Sequence, residues 1–324
     1  MQISRFLLMF LAGLTVSSVR AQFSPGKIWN DDKGEVINAH GGGILYDHGR
    51  YYWFGEKRGM HGSQGVNVYS SRDLYHWKFK ALALAPSTDT ASDIAAGCVM
   101  ERPKVLYNKK TRQYVMWFHL ELKGRGYSAA RAAVCVSKNV QGPYTYVRSF
   151  RPNGNMSRDM TLFVDDDGAA YIIYSSRENY DMRIARLSDD YLTVTPADSL
   201  IARDHQEAPA LFKRKGVYYL ITSACTGWAP NKASLYTSRS IFGPWSRNPT
   251  PMRGENADRT FGGQSAYVLP LRGGKRKDDL IFVADRWNPK DLKDSRYLWL
   301  PIEWQDDTPT IPWKDNWDLG VFGK

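Results

Sequence analysis

Cysteine is scarce, with three residues in 324: Cys98, Cys135 and Cys225. An odd number leaves at least one thiol unpaired, and none of the spacings suits zinc. A densely disulfide-stapled scaffold and a zinc module are therefore excluded. The three read as small buried hydrophobes, with a Cys98–Cys135 bridge left open. Long apolar runs are also missing. The run Phe6 to Val16 is too short to span a bilayer, and no later segment is apolar enough, so no membrane partner is expected. Sustained helical periodicity is absent, as are linkers, so neither a helical architecture nor a second domain is expected. Hydrophobic residues make up 43%, charged residues 24%, and mean hydropathy is −0.48. That balance excludes disorder, collagen and coiled coil.

Acidic residues are outnumbered, 33 against 44 Lys and Arg, for a net charge of +11. Such a surplus suits nucleic acid or an acidic polymer. The basic residues are scattered, however. The densest cluster, Arg272 to Lys277, lies between two apolar runs and reads as a solvated hairpin tip. No nucleic-acid partner is expected. The first residues, Met-Gln-Ile-Ser-Arg, precede the short apolar run, and Ser17-Ser-Val-Arg-Ala21 follows it. These are the parts of a secretory leader. A signal peptide over 1–21, cut after Ala21, and an exported, periplasmic or secreted chain are expected.

What is abundant is repetition. His40-Gly-Gly-Gly-Ile-Leu-Tyr leads to Tyr51-Tyr-Trp-Phe. Glu101-Arg-Pro-Lys-Val-Leu-Tyr leads to Tyr114-Val-Met-Trp-Phe, and Asp159-Met-Thr-Leu-Phe-Val to Tyr171-Ile-Ile-Tyr. Glu207-Ala-Pro-Ala-Leu-Phe leads to Tyr218-Tyr-Leu-Ile, and Gln264-Ser-Ala-Tyr-Val-Leu to Leu280-Ile-Phe-Val-Ala. Each copy is a polar residue, a short apolar strand, a polar turn and a second strand rich in aromatic and β-branched residues, which is a hairpin pattern. Third and fourth strands echo each other too: Val134-Cys-Val-Ser-Lys-Asn-Val-Gln-Gly-Pro-Tyr144 matches Leu235-Tyr-Thr-Ser-Arg-Ser-Ile-Phe-Gly-Pro-Trp245. The steps between copies average 56 residues, so five copies fill 280 of the 303 residues after the leader. Radial four-stranded units make a β-propeller. The expectation is an all-β, five-bladed propeller of about four antiparallel strands per blade, occupying 22–324 as one catalytic domain.

In a propeller the first residues of each inner strand face one mouth of the central funnel. His40, Glu101, Asp159, Glu207 and Gln264 would then converge. Buried carboxylates are costly unless paired or used, and two of them across a pocket suit glycoside hydrolysis, one as proton donor. Trp53, Trp117, Tyr127, Trp228 and Trp287 lie near these strands and offer rings to stack on sugars, although Trp53 and Trp117 read better as blade core.

These features resemble glycoside hydrolase family 43, and within it the exo-β-1,3-galactanase branch, over about residues 26–305. The carriers are Ile37-Asn-Ala-His-Gly-Gly-Gly-Ile-Leu45, Tyr51-Tyr-Trp-Phe-Gly-Glu56, Met100-Glu-Arg-Pro-Lys104, Ser157-Arg-Asp-Met160, Gln206-Glu-Ala-Pro209, Thr226-Gly-Trp228, Gly262-Gly-Gln-Ser265 and Ala284-Asp-Arg-Trp287. The resemblance implies an inverting hydrolase that releases galactose from β-1,3-galactan. Glu207 would be the general acid, Glu101 would tune it, and Gln264 would orient the attacking water. The usual first-blade Asp is missing, since Asn38-Ala-His40 stands there, and the branch shares that loss. An amide is a poor base, so Glu56 is a rival for the water. Glu56, Tyr127, Asp159, Asn179 and Thr226 match sugar contacts. No cofactor or catalytic metal is implied, a structural calcium on the axis is left open, and a monomer is expected. An α-L-arabinofuranosidase or β-xylosidase of the same family, and a sugar-binding propeller without turnover, are the alternatives.

Overall fold

The computed structural model describes residues 21–59, 62–272 and 279–323. The expected leader, Ala21 apart, and most of the basic hairpin tip lie outside the described residues. Within them, alternating apolar residues and tight polar turns produce consecutive antiparallel hairpins. Blade 1 is His40–Asp47, Arg50–Gly59, Gly62–Ser71 and Lys78–Leu84. Blade 2 is Val99–Asn108, Gln113–Glu121, Arg131–Ser137 and Thr145–Phe150. Blade 3 is Met160–Val164, Ala170–Ser176, Asp181–Leu187 and Val194–Ala202. Blade 4 is Gln206–Arg214, Val217–Ala224, Ser234–Ser238 and Ser246–Asn248. Blade 5 has three strands, Gln264–Pro270, Leu280–Arg286 and Arg296–Pro301. The first strand of each of these neighbours the first strands on either side, and that of blade 5 returns to that of blade 1.

The expectation of five blades is corrected by a sixth sheet. Met252–Arg253, Thr308–Pro312 and Glu303–Gln305 form a small blade in that spatial order, with a parallel Met252↔Ile311 pairing. Its strands hold only two, five and three residues. They come from both sides of blade 5 in the chain, so the blade has no repeat of its own to be read. It packs on Arg296–Pro301 and on the turn Ala257–Gly262.

Between neighbouring blades the apolar faces close on each other. Phe54 and Val68 of blade 1 meet Met116 and Phe118 of blade 2, all inaccessible to solvent. Trp117 packs with Ile172 and Tyr174 of blade 3. Phe23 and Trp317, from opposite ends of the described chain, pair backbone to backbone and stack with ring centroids 4.4 Å apart. They join the Trp53–Trp77–Trp299 cluster between blades 1 and 5. Trp53 and Trp117 are therefore core, as expected. All three cysteines are free thiols, with Cys98 and Cys135 in the blade 1–blade 2 cluster. The Cys98–Cys135 bridge is thus set aside. Among the described residues no helix is long and apolar enough to cross a membrane.

Candidate active site

The funnel mouth is built by one device used repeatedly. Register shifts follow His40 in blade 1, Glu101 in blade 2 and Glu207 in blade 4, and Ser265 in blade 5. In three of these bulges the residue after the polar one takes a positive φ: Gly41 at 58°, Arg102 at 58° and Ala208 at 55°. A bulge re-aims a side chain out of the pleat. Holding Arg102 and Ala208 in the left-handed region costs of order 1–3 kcal/mol each, strain of the kind found at functional sites. Across each hairpin the polar residue faces a partner by register: His40↔Glu56, Glu101↔His119, Glu207↔Ser223 and Gln264↔Asp285.

The Gly41-Gly42-Gly43 run has a steric explanation here. A Cβ on Gly41 would lie 2.3 Å from Glu56 Oε1, on Gly42 2.1 Å from the Phe54 carbonyl oxygen, and on Gly43 2.4 Å from Lys104 Cδ. Only bare backbone admits those groups together. Lys104 is buried, and its Nζ donates to the Gly41 carbonyl at 2.8 Å. Burial, with the Arg102 charge, lowers its pKa to about 7.

The pocket at the mouth has a volume of about 270 Å³. Glu56, Glu101, Tyr127, Asp159, Asn179, Glu207 and Gln264 all line it. Two expected residues do not. His40 is fully buried, lies 3.1 Å from Asp285 by its Nδ1 and stacks on Tyr297. The Thr226 hydroxyl is spent inside its own turn, donating to the Ala229 carbonyl and accepting from Asn231. Its neighbours Gly227 and Trp228 face the pocket instead. Trp228 is half exposed and meets Trp287 edge to face at 5.9 Å.

Charge in the pocket is divided unevenly. Arg58 Nη2 lies 2.5 Å from Glu56 and 2.9 Å from Glu101. Glu101 also lies 3.1 Å from His119 Nδ1 and accepts from the Tyr127 hydroxyl at 2.8 Å. Burial opposes ionisation of Glu101, but His119 and Arg58 hold its carboxyl well below the usual range. His119 sits between Glu101 and Glu121, whose Oε1 is 2.8 Å from Nε2. Against the effect of burial, these carboxylates lift the imidazole to about 9, so it is a cation at neutral pH. Glu56, only 1% exposed, is pushed upward by burial against the pull of Arg58. Asp159 pairs with Arg102 Nη2 at 3.0 Å.

Glu207 is different. It forms no ion pair among the described residues. Its partners are Gln264 Nε2 at 2.8 Å, Asn179 Nδ2 at 3.3 Å and the Cys225 thiol. Burial, followed by the Asp159 charge, raises it to about 7. Gln264 uses its whole amide: Oε1 accepts from Arg102 and from Trp287 Nε1, and Nε2 donates to Glu207 and to Ser223. Two obligate donors on one side leave only one assignment of its oxygen and nitrogen. This contact is closer than the roughly 6.5–9.5 Å gap between acid and water-orienting group that an inverting geometry implies.

Sequence reading missed Arg58, Arg102, His119 and Cys225. Arg102 and His119 carry a signal. Arg102 is the residue after a repeat start, and His119 holds the hairpin position in blade 2 that Glu56 holds in blade 1. Cys225 carries none, because nothing in its neighbourhood distinguishes it from a core thiol. A cation has a poor fit here. Glu101, His119 and Asp159 offer ligand atoms within 4.8 Å of one another. Each is already engaged, though, and Arg58, Arg102 and charged His119 would repel an ion.

A family model described as glycosyl hydrolases family 43 matches residues 40–309. A solved family 43 β-1,3-galactosidase holding galactodeoxynojirimycin is 48% identical, with a TM-score of 0.89 over 92% of this chain and 100% of that one. An exo-β-1,3-galactanase from Phanerochaete chrysosporium, solved with β-1,3-galactotriose, is 38% identical, with a TM-score of 0.86 over 93% of this chain and 69% of that one. A xylan 1,3-β-xylosidase from a Vibrio species is 25% identical over 280 residues, 76% of this chain. The chain spans only 51% of that curated relative's length.

Proposed function

The chain belongs to glycosyl hydrolase family 43, and from that membership we propose that it is an exo-acting hydrolase releasing terminal galactose from β-1,3-linked galactan with inversion. The observation that carries the proposal is Glu207, a pocket carboxyl that forms no ion pair among the described residues and is protonated up to about pH 7. The substrate follows from the similarity to the galactose-specific structures at 38–48% identity. The xylosidase likeness is weaker and covers half of that protein.

In the proposed reaction the galactose ring occupies the funnel, with the Trp228–Trp287 pair beside it. Gln264 donates to Glu207 Oε1 at 2.8 Å and Asn179 to Oε2 at 3.3 Å. The Glu207 proton passes to the glycosidic oxygen as the C1–O bond breaks. Ionised Glu101, with Asp159, steadies the positive charge that grows on the ring. Arg102 and Trp287 hold the Gln264 oxygen, so the sugar displaces only its nitrogen from Glu207. That freed N–H orients the water that attacks C1 from the other face. The water's proton needs an acceptor, which an amide is not. Glu56, raised by burial, is a better one than Glu101. Proton transfer between carboxyl groups and water needs no cofactor.

Two measurements test this. NMR of debranched β-1,3-galactan during digestion is expected to show α-galactose first. β-Galactose appearing first would exclude inversion, and release only from aryl xylosides or arabinofuranosides would exclude the substrate. The pH profile of kcat/KM should fall tenfold per unit above about pH 7, as the Glu207 proton is lost. A limb near pH 4.5 would remove Glu207 as the acid. Export rests on the expected leader. The mature protein should begin at Gln22, and an intact Met1 on exported material would refute the cut.

A further inference from the structure

A second cavity, of about 350 Å³, opens beside the funnel at the turn Ala257–Gly262. Arg286 reaches into it from the end of the second strand of blade 5. The next residue, Trp287, just past the strand, lines the funnel, so neighbouring side chains serve the two hollows. A narrow recess adjoins both. It shares Trp228, Gln264 and Trp287 with the funnel and Gly262 with the second cavity.

Among the described residues Arg286 has no counter-charge. Its Nη2 donates to the Phe261 carbonyl at 2.7 Å, its buried Nε has no partner, and burial alone depresses its pKa. Arg58 and Arg102, by contrast, are each matched to carboxylates. A half-buried guanidinium left unpaired is unfavourable unless a ligand completes it. Arg259 adds a second guanidinium to the lining, and Glu255 is the one carboxylate there, exposed. The wall behind Arg286 is aromatic: the Trp313 ring lies 5.6 Å from its guanidinium, and Phe261 lies 5.4 Å from Trp313. The turn holds its shape through three successive left-handed residues, Thr260, Phe261 and Gly262 at φ of 50°, 58° and 81°. A Cβ on Gly262 would approach Arg286 Nε to 3.3 Å.

Guanidinium pairs with carboxylate in a planar fork, and an aromatic face accepts a sugar ring. We propose that this cavity binds a carboxylated sugar, a hexuronate borne by the polymer whose galactose end enters the funnel, with Arg286 on the carboxylate and Trp313 against the ring. The polymer part rests on the galactan reading above; the anion part does not.

The test is a titration of the full protein with methyl β-D-glucuronide, methyl β-D-glucoside and inorganic sulfate, followed by ligand-observed NMR. The glucuronide should bind and the glucoside should not. Arg286→Gln should weaken the glucuronide about tenfold or more, the size of a lost charged hydrogen bond. Trp313→Ala should weaken the glucuronide and leave sulfate unchanged. Cutting of unsubstituted β-1,3-galactotriose by Trp313→Ala should match the parent. Glucuronide binding no better than glucoside overturns the proposal, whether or not Arg286→Gln folds. So does a glucuronide affinity that Trp313→Ala leaves untouched, which would mark a general anion site. If the glucuronide binds as expected but galactan is not cut, the cavity stands and the galactanase reading fails.

Discussion

Glu207→Gln is expected to lower kcat on β-1,3-galactan by about 10²–10⁴-fold, the range of a lost general acid. The same variant should keep far more activity on a 2,4-dinitrophenyl galactoside, whose leaving group departs without a proton. Stability should move the other way. The folded-state pKa of Glu207 is about 7, above its ordinary 4.5, so the native state binds this proton more tightly than the unfolded chain does. Its contribution is fully present below about pH 4.5 and lost as pH rises through about 7. The glutamine carries no charge to bury, so the variant should melt higher than the parent at pH 8, with the gap closing towards pH 5. Equal loss on both substrates would argue for a binding role. Unchanged kcat would remove Glu207 from the chemistry.

Arg102→Met is expected to destabilise the fold by about 3–5 kcal/mol in urea titration, the cost of leaving a buried charge unpaired. This guanidinium ties three blades together. It donates to Gln264 Oε1 at 2.5 Å and the Ser265 carbonyl at 2.8 Å, and it pairs with Asp159 at 3.0 Å. Its own backbone N–H, aimed by the positive φ, donates to Glu56 at 2.8 Å. Arg102 also pulls the Glu207 pKa down, so its loss should carry the alkaline limb of kcat/KM upward in whatever activity survives. Arg102→Lys keeps the charge without the fork; it should recover part of the stability while Gln264 stays loosely held. A methionine variant as stable as the parent would show that the charges are not coupled as drawn.

Both results depend on features with different visibility in the chain. The polar residue at each repeat start was legible, because a strand that begins with a charge and continues in alternating apolar residues has one physical reading. Glu101, Asp159, Glu207 and Gln264 accordingly meet in one pocket. His40 shares their position but turns into the core, where its Nδ1 lies 3.1 Å from Asp285 and its ring stacks on Tyr297. Thr226 was placed by resemblance, and local hydrogen bonding in its turn claimed its hydroxyl. The sixth sheet escaped because its two- to five-residue strands carry no period.

Local pattern thus determined the strands, the turns, the repeat and the identity of the polar residues at the funnel, since these depend on neighbours a few positions apart. Only the folded chain decided which carboxyl groups are paired. Arg58 is 43 positions from Glu101 and Gln264 is 57 from Glu207, and the burial and partners that separate an ionised Glu101 from a protonated Glu207 exist only once the blades have closed around the axis.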